Sequence, residues 1–175
     1  MMQNRRTDPP VNEEVEIRVT VNGRHFRHRV PTRLLLVDYI REVCGLLGTQ
    51  AGCEQGVCGS CTVIVDGMAV RSCLVLAAQC DGEDIRTVEG LASEGLSTLQ
   101  RSFREHHALQ CGFCIPGILM TAQTLLDSDA EPTDQRIRDA VSGHTCRCTG
   151  YEPIVDAIRA AARAEAEAEG SEAVL

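Results

Sequence analysis

The run Gly52-Cys53-Glu54-Gln55-Gly56-Val57-Cys58-Gly59-Ser60-Cys61, continued by Thr62-Val63-Ile64-Val65-Asp66-Gly67-Met68-Ala69-Val70-Arg71-Ser72-Cys73, decides how this chain folds. Three cysteines stand at C-x4-C-x2-C, and Cys73 follows after eleven intervening residues. Asp66-Gly67 supplies a two-residue hairpin turn between apolar segments. Counted symmetrically about that turn, Ser72 falls opposite Cys61, so Cys73 returns beside the loop and four thiols converge without long-range folding. Gly52, Gly56 and Gly59 allow positive φ, so the loop can wrap its N–H groups towards an anion.

This is the spacing of a plant-type [2Fe–2S] loop. The competing readings are a zinc site or two disulfides, although zinc more often uses paired C-x2-C knuckles and only one such pair occurs here. A second set lies downstream: Cys111 and Cys114 form C-x2-C, and Cys146 and Cys148 form C-x-C. The C-x-C pair places its donors on one side of an extended segment, which suits two thiolates on one iron. Pro116 and Pro153 open helices just after each pair, and both helix starts turn free N–H groups towards the sulfurs. On spacing alone this second set is a cluster or a zinc site.

Outward from these loops, Val15, Ile17, Val19 and Val21 alternate with polar residues up to Asn22-Gly23, which predicts a hairpin with Val19 opposite Phe26 and Val15 opposite Val30. Thr32 can cap a helix carrying Leu35, Leu36, Ile40, Val43 and Cys44 on one stripe, stopped by Gly45. Beyond Val88 the periodicity becomes helical. Ser97 and Thr133 are candidate caps, Gly143 is a stop, and the apolar stripe of a last helix fades after Arg163. The expected organisation is a flexible segment over 1–13, a sheet domain over 14–87, a helical domain over 88–165 and a frayed acidic tail over 166–175.

Composition narrows the class. The 175 residues carry a net charge of −8, all seventeen positive charges are arginine, and aromatics make up 3%. A net-acidic chain with no basic block and few aromatics argues against nucleic-acid or anionic-membrane binding. No apolar run approaches the ~20 residues of a membrane span. The ten cysteines raise the possibility of a secreted disulfide scaffold, but no signal-peptide core precedes them. A reducing cytoplasm is therefore expected, where clustered cysteines bind metals or clusters.

The stretches Gly52 to Val63, Leu109-Gln110-Cys111-Gly112-Phe113-Cys114-Ile115-Pro116-Gly117 and Cys146-Arg147-Cys148-Thr149-Gly150-Tyr151 together resemble the iron–sulfur subunit of the molybdenum hydroxylases, the xanthine dehydrogenase and aerobic carbon monoxide dehydrogenase family. The resemblance implies an α+β chain, with an N-terminal plant-ferredoxin-like β-grasp domain and a C-terminal four-helix-bundle domain. It also implies two [2Fe–2S] clusters, one on Cys53, Cys58, Cys61 and Cys73 and one on Cys111, Cys114, Cys146 and Cys148. The second would lie near a molybdopterin in a large partner subunit, and the first would face FAD in a medium one, in a heterotrimer or its dimer. Gln110 matches the family residue that hydrogen-bonds the pterin, and Cys148 the ligand whose sulfur approaches it. The implied activity is electron relay within an oxidoreductase, with no catalytic residues in this chain.

One position departs from the family pattern: where Asn commonly stands two residues before the C-x-C motif, this chain has His144. Cys44 and Cys80 read as packed thiols, His28 as a hydrogen-bonded core histidine, and His106 and His107 as surface residues. No Ser/His/Asp arrangement, phosphate loop or catalytic carboxylate pair is present. A free-standing ferredoxin-like carrier and a zinc-stabilised adaptor are the other readings of this sequence.

Overall fold

The computed structural model describes residues 13–92 and 95–172. Almost all of the lead-in expected to be flexible, residues 1–12, lies outside them. The chain is α+β, a mixed five-stranded sheet followed by helices. β1 (Glu14–Val21) and β2 (Arg24–Pro31) pair antiparallel with Val19 against Phe26 and Val15 against Val30, as the turn dictates. Asn22 and Gly23 take φ of 50° and 75°, the left-handed pair that this turn requires. β3 (Thr62–Val65) and β4 (Met68–Arg71) form the second hairpin about Asp66-Gly67.

The sequence pattern does not announce β5 (Asp84–Arg86), which inserts in the middle of the sheet. It runs parallel to β1 and antiparallel to β3, giving the order β2-β1-β5-β3-β4. Ile17, Val19, Val21, Val30, Val63 and Ile85 bury one face of this sheet against Leu36, Tyr39 and Ile40.

Thr32 does not cap the helix that follows. Leu35 is held extended by a bridge to Leu76, so the helical turn α1 starts only at Leu36 (Leu36–Asp38) and passes into a π turn over Tyr39–Val43. The wider turn rotates Val43 off the apolar stripe and leaves it exposed. Gly45, at φ 71°, ends the element.

β3 belongs to two cores at once. Val63 faces the sheet core, whereas Ile64 joins Leu99, Phe103, Ile118, Met120, Ile137, Ile154 and Ile158 in the core of the helical half. That half contains α2 (Thr98–Glu105), α3 (Ile115–Ser128), α4 (Asp134–Ser142) and α5 (Glu152–Glu172). Ser97 caps α2 by accepting from Gln100 N at 3.2 Å, and Gln100 returns the bond to Ser97 N at 3.0 Å. Thr133 caps α4 and Gly143 ends it, as the sequence reads.

The last helix outruns its apolar stripe: the tail expected to fray from residue 166 is helical through Glu172. Alanine and glutamate are strong helix formers, so propensity favours continuing the helix beyond the buried Ala161 and Ala162. Among the described residues, no helix is long and apolar enough to cross a membrane.

Candidate cluster sites

The first loop forms as its glycines require. Gly56 and Gly59 take φ of 76° and 79°, and a Cβ on Gly52 would lie 3.1 Å from the Cys58 sulfur. The backbone turns inward around Cys53, whose sulfur accepts from Cys58 N at 3.3 Å and Gln55 N at 3.4 Å. The Cys58 amide foremost, then that of Gln55, pulls the Cys53 thiol down to about 6. Ser72 returns opposite Cys61, bonding its carbonyl through both N (3.3 Å) and Oγ (2.6 Å). Cys73 therefore arrives against Cys61; burial first, then the Cys61 thiol, pushes it up to about 11. Cys61 and Cys73 are buried, and Cys53 and Cys58 are half-buried.

The second loop is built differently. Cys114 is itself the N-cap residue of α3, with Pro116 in the first turn. The Phe113 amide holds the Cys111 thiol below its ordinary range, and burial, with Cys146 alongside, pushes Cys114 up to about 12. Cys111 and Cys148 are exposed and their sulfurs stand 3.5 Å apart. Cys114 therefore pairs with Cys146, and Cys111 with Cys148. Each thiol of the C-x-C pair thus lies beside one thiol of the C-x2-C turn. Tyr151, at φ 71°, pins this loop by donating to His144 O and accepting from Cys146 N, both at 2.9 Å.

The two loops meet. Thr145 N donates to Cys58 O at 2.9 Å. Arg71 Nη2 donates to Gly143 O at 2.7 Å and Nη1 to Thr62 Oγ1. Phe113 lies against Gly52, and Gly117 against the Gly59 carbonyl. The His144 side chain is buried in this junction, and burial, with Arg71 nearby, lowers its pKa to about 4. Sequence reasoning assigned no role to Thr145, Arg71, Gly117 or Tyr151, although Gly117 and Tyr151 lie within the motif stretches and Thr145 directly precedes Cys146. Gln110 is exposed and immediately precedes Cys111.

Cys44 is half-buried, and burial foremost raises its thiol. Cys80 is buried away from both quartets. His28 is half-buried and hydrogen-bonded to Tyr39 Oη at 3.0 Å. His107 is exposed, and His106 is half-exposed at the end of α2.

The donor set fits [2Fe–2S] clusters. All ten cysteines are free thiols. The thiols approach two by two, and backbone N–H groups rather than carboxylates surround them, as an anionic two-iron group needs.

Comparison with known proteins agrees with this geometry. Residues 19–92 match the 2Fe-2S iron-sulfur cluster binding domain family, and residues 87–159 the [2Fe-2S] binding domain family. The nicotine 6-hydroxylase small subunit of Paenarthrobacter nicotinovorans is 53% identical over 87% of this chain and 92% of its own. The xanthine dehydrogenase iron-sulfur-binding subunit of Escherichia coli O157:H7 is 44% identical over 84% and 94%. The crystal structure of quinoline 2-oxidoreductase from Pseudomonas putida 86 superposes with a TM-score of 0.84 at 52% identity, covering 88% of this chain and 97% of that one. Two paired thiol quartets and relatives of this identity and coverage lead to one statement: the chain belongs to the iron–sulfur small-subunit family of the molybdenum hydroxylases.

Proposed function

We propose that this chain is the electron-transfer subunit of a heteromeric molybdenum hydroxylase, passing electrons from a molybdopterin centre in a large subunit to FAD in a medium one. In this reading Cys53, Cys58, Cys61 and Cys73 hold one [2Fe–2S] cluster, and Cys111, Cys114, Cys146 and Cys148 hold the other. When bound, each cluster supplies reversible one-electron storage. The observation that carries the reading is the Thr145 N–H to Cys58 C=O bond of 2.9 Å, which joins the two ligand loops through one hydrogen bond and a few covalent bonds.

The chain's own residues do three things here. The amides of Gln55, Cys58 and Phe113 offset negative charge on the sulfurs. Buried Cys61, Cys73 and Cys114 keep one side of each quartet dry. Exposed Cys111, Cys148 and Gln110 present the other end of the second quartet to a partner, which supports Gln110 and Cys148 as the pterin-side contacts. Val57, Leu74, Leu109 and Phe113 are large apolar side chains left exposed beside the cluster cysteines, which supports docking of partner subunits there.

We assign 14–87 to the ferredoxin-like domain and 88–165 to a four-helix-bundle domain, in a heterotrimer or its dimer. Ten free thiols favour a reducing, cytoplasmic setting. Nicotine, xanthine and quinoline in the relatives' names support a nitrogen heterocycle as substrate, bound in the large subunit.

The test is spectroscopic. The purified protein should hold about four irons per chain, show two distinct [2Fe–2S] EPR signals on reduction, and co-purify with larger flavin- and molybdenum-containing chains. Zinc in place of iron, or a native monomer carrying both clusters, would sink the proposal.

A further inference from the structure

Among the described residues, His144 Nδ1 is the buried side-chain nitrogen or oxygen that lacks a hydrogen-bond partner. The imidazole occupies the space that a side chain on Gly59 would need: a Cβ there would overlap Nδ1 and stand 2.9 Å from Gly143 O. On the opposite edge of the ring, Nε2 and Thr121 Oγ1 share a 2.7 Å hydrogen bond. The backbone is fixed as well, with His144 N donating to Val141 O at 3.0 Å and His144 O accepting from Tyr151 Oη at 2.9 Å. Gly59 lies between Cys58 and Cys61, Thr121 lies on the helix that Cys114 begins, and His144 is two residues before Cys146. One ring therefore touches the first loop and ties the helix of the second to its C-x-C loop.

An unpaired buried nitrogen costs stability. An apolar side chain of similar volume would fill the gap over Gly59 without that cost. What the imidazole adds is direction, because the bond to Thr121 fixes the orientation of the ring and hence how closely the first loop approaches α3. We propose that His144 is a positioning residue that sets the separation of the two clusters, acting as an oriented spacer between Gly59 and Thr121; the inference rests on reading both quartets as cluster ligands.

EPR of the fully reduced, cluster-loaded full chain reads this separation, because magnetic coupling between two paramagnetic clusters falls steeply with distance. His144→Ala should keep about four irons per chain and lose or shift the spin–spin splitting, and His144→Gln, which can still bond Thr121, should restore it. A His144→Ala splitting identical to wild type overturns the proposal, as does a His144→Gln spectrum no different from that of His144→Ala. Should His144→Ala fail to fold, Thr121→Val removes the anchoring hydroxyl at constant volume: a changed splitting supports the spacer and an unchanged one overturns it. A wild-type chain without two cluster signals would overturn the functional reading, and the spacer with it, before any variant is compared.

Discussion

Gly117, in the first turn of α3, packs directly on the Gly59 carbonyl of the first cysteine loop, and a Cβ on Gly117 would overlap that oxygen. The obstacle is backbone, which cannot rotate away. Gly117→Ala should therefore push α3 off the first loop and destabilise the chain by about 1–3 kcal/mol. Chemical denaturation of the cluster-loaded chain checks this. An alanine variant as stable as wild type would mean that the two halves are less tightly docked than the structure has them.

Arg71 ties the end of β4 to the second loop through Gly143 O at 2.7 Å, and its other nitrogen reaches Thr62. Charge-assisted bonds of this type contribute about 1.5–3 kcal/mol. Arg71→Gln should lower the unfolding free energy read from chemical denaturation by an amount of that order while leaving the iron content unchanged.

Cys58→Ser should remove the first cluster alone. Iron should fall from about four to about two per chain, one EPR signal should vanish, and the other should remain. Loss of both signals would show instead that the second quartet depends on the first for assembly.

Gln110 is exposed and immediately precedes Cys111, whose sulfur stands 3.5 Å from that of Cys148. Gln110→Ala should leave both clusters and the stability of the isolated chain intact, yet slow substrate-driven cluster reduction in the assembled complex. Stopped-flow bleaching of the iron–sulfur absorbance measures that step, and an unchanged rate would remove Gln110 from the pterin side.

Burial raises the Cys80 thiol from 9.0 to about 11. Between those values the unfolded chain has released a proton that the folded chain retains, so the contribution of Cys80 is fully present below pH 9.0 and is lost as pH rises towards about 11. Urea midpoints measured across this range should decline more steeply for wild type than for Cys80→Ala. Parallel declines would show that the thiol titrates alike in both states.

Much of this architecture was legible because its signals are local. Asn22-Gly23 and Asp66-Gly67 each dictate a turn, and a two-residue turn fixes the pairing of every residue on either side; the return of Cys73 to Cys61 follows from that alone. What stayed hidden depends on distant partners. β5 is three residues long and owes its strand state to β1 and β3. Thr32 is a good cap by residue type, but the Leu35–Leu76 bridge delays the helix. The approach of Cys148 to Cys111 and of Cys146 to Cys114 joins distant segments of the helical half, and the burial of His144 over Gly59 arises only when the two halves dock.

The strand that completes the sheet is the last one synthesised yet occupies its centre, between β1 and β3. As the nascent chain leaves the ribosome, the first hairpin and the glycine loop emerge with no lattice to hold them together until Ile85 has cleared the exit tunnel. The cysteine hairpin can close by itself, but its fixed place against the first hairpin waits for the strand that carries Ile85.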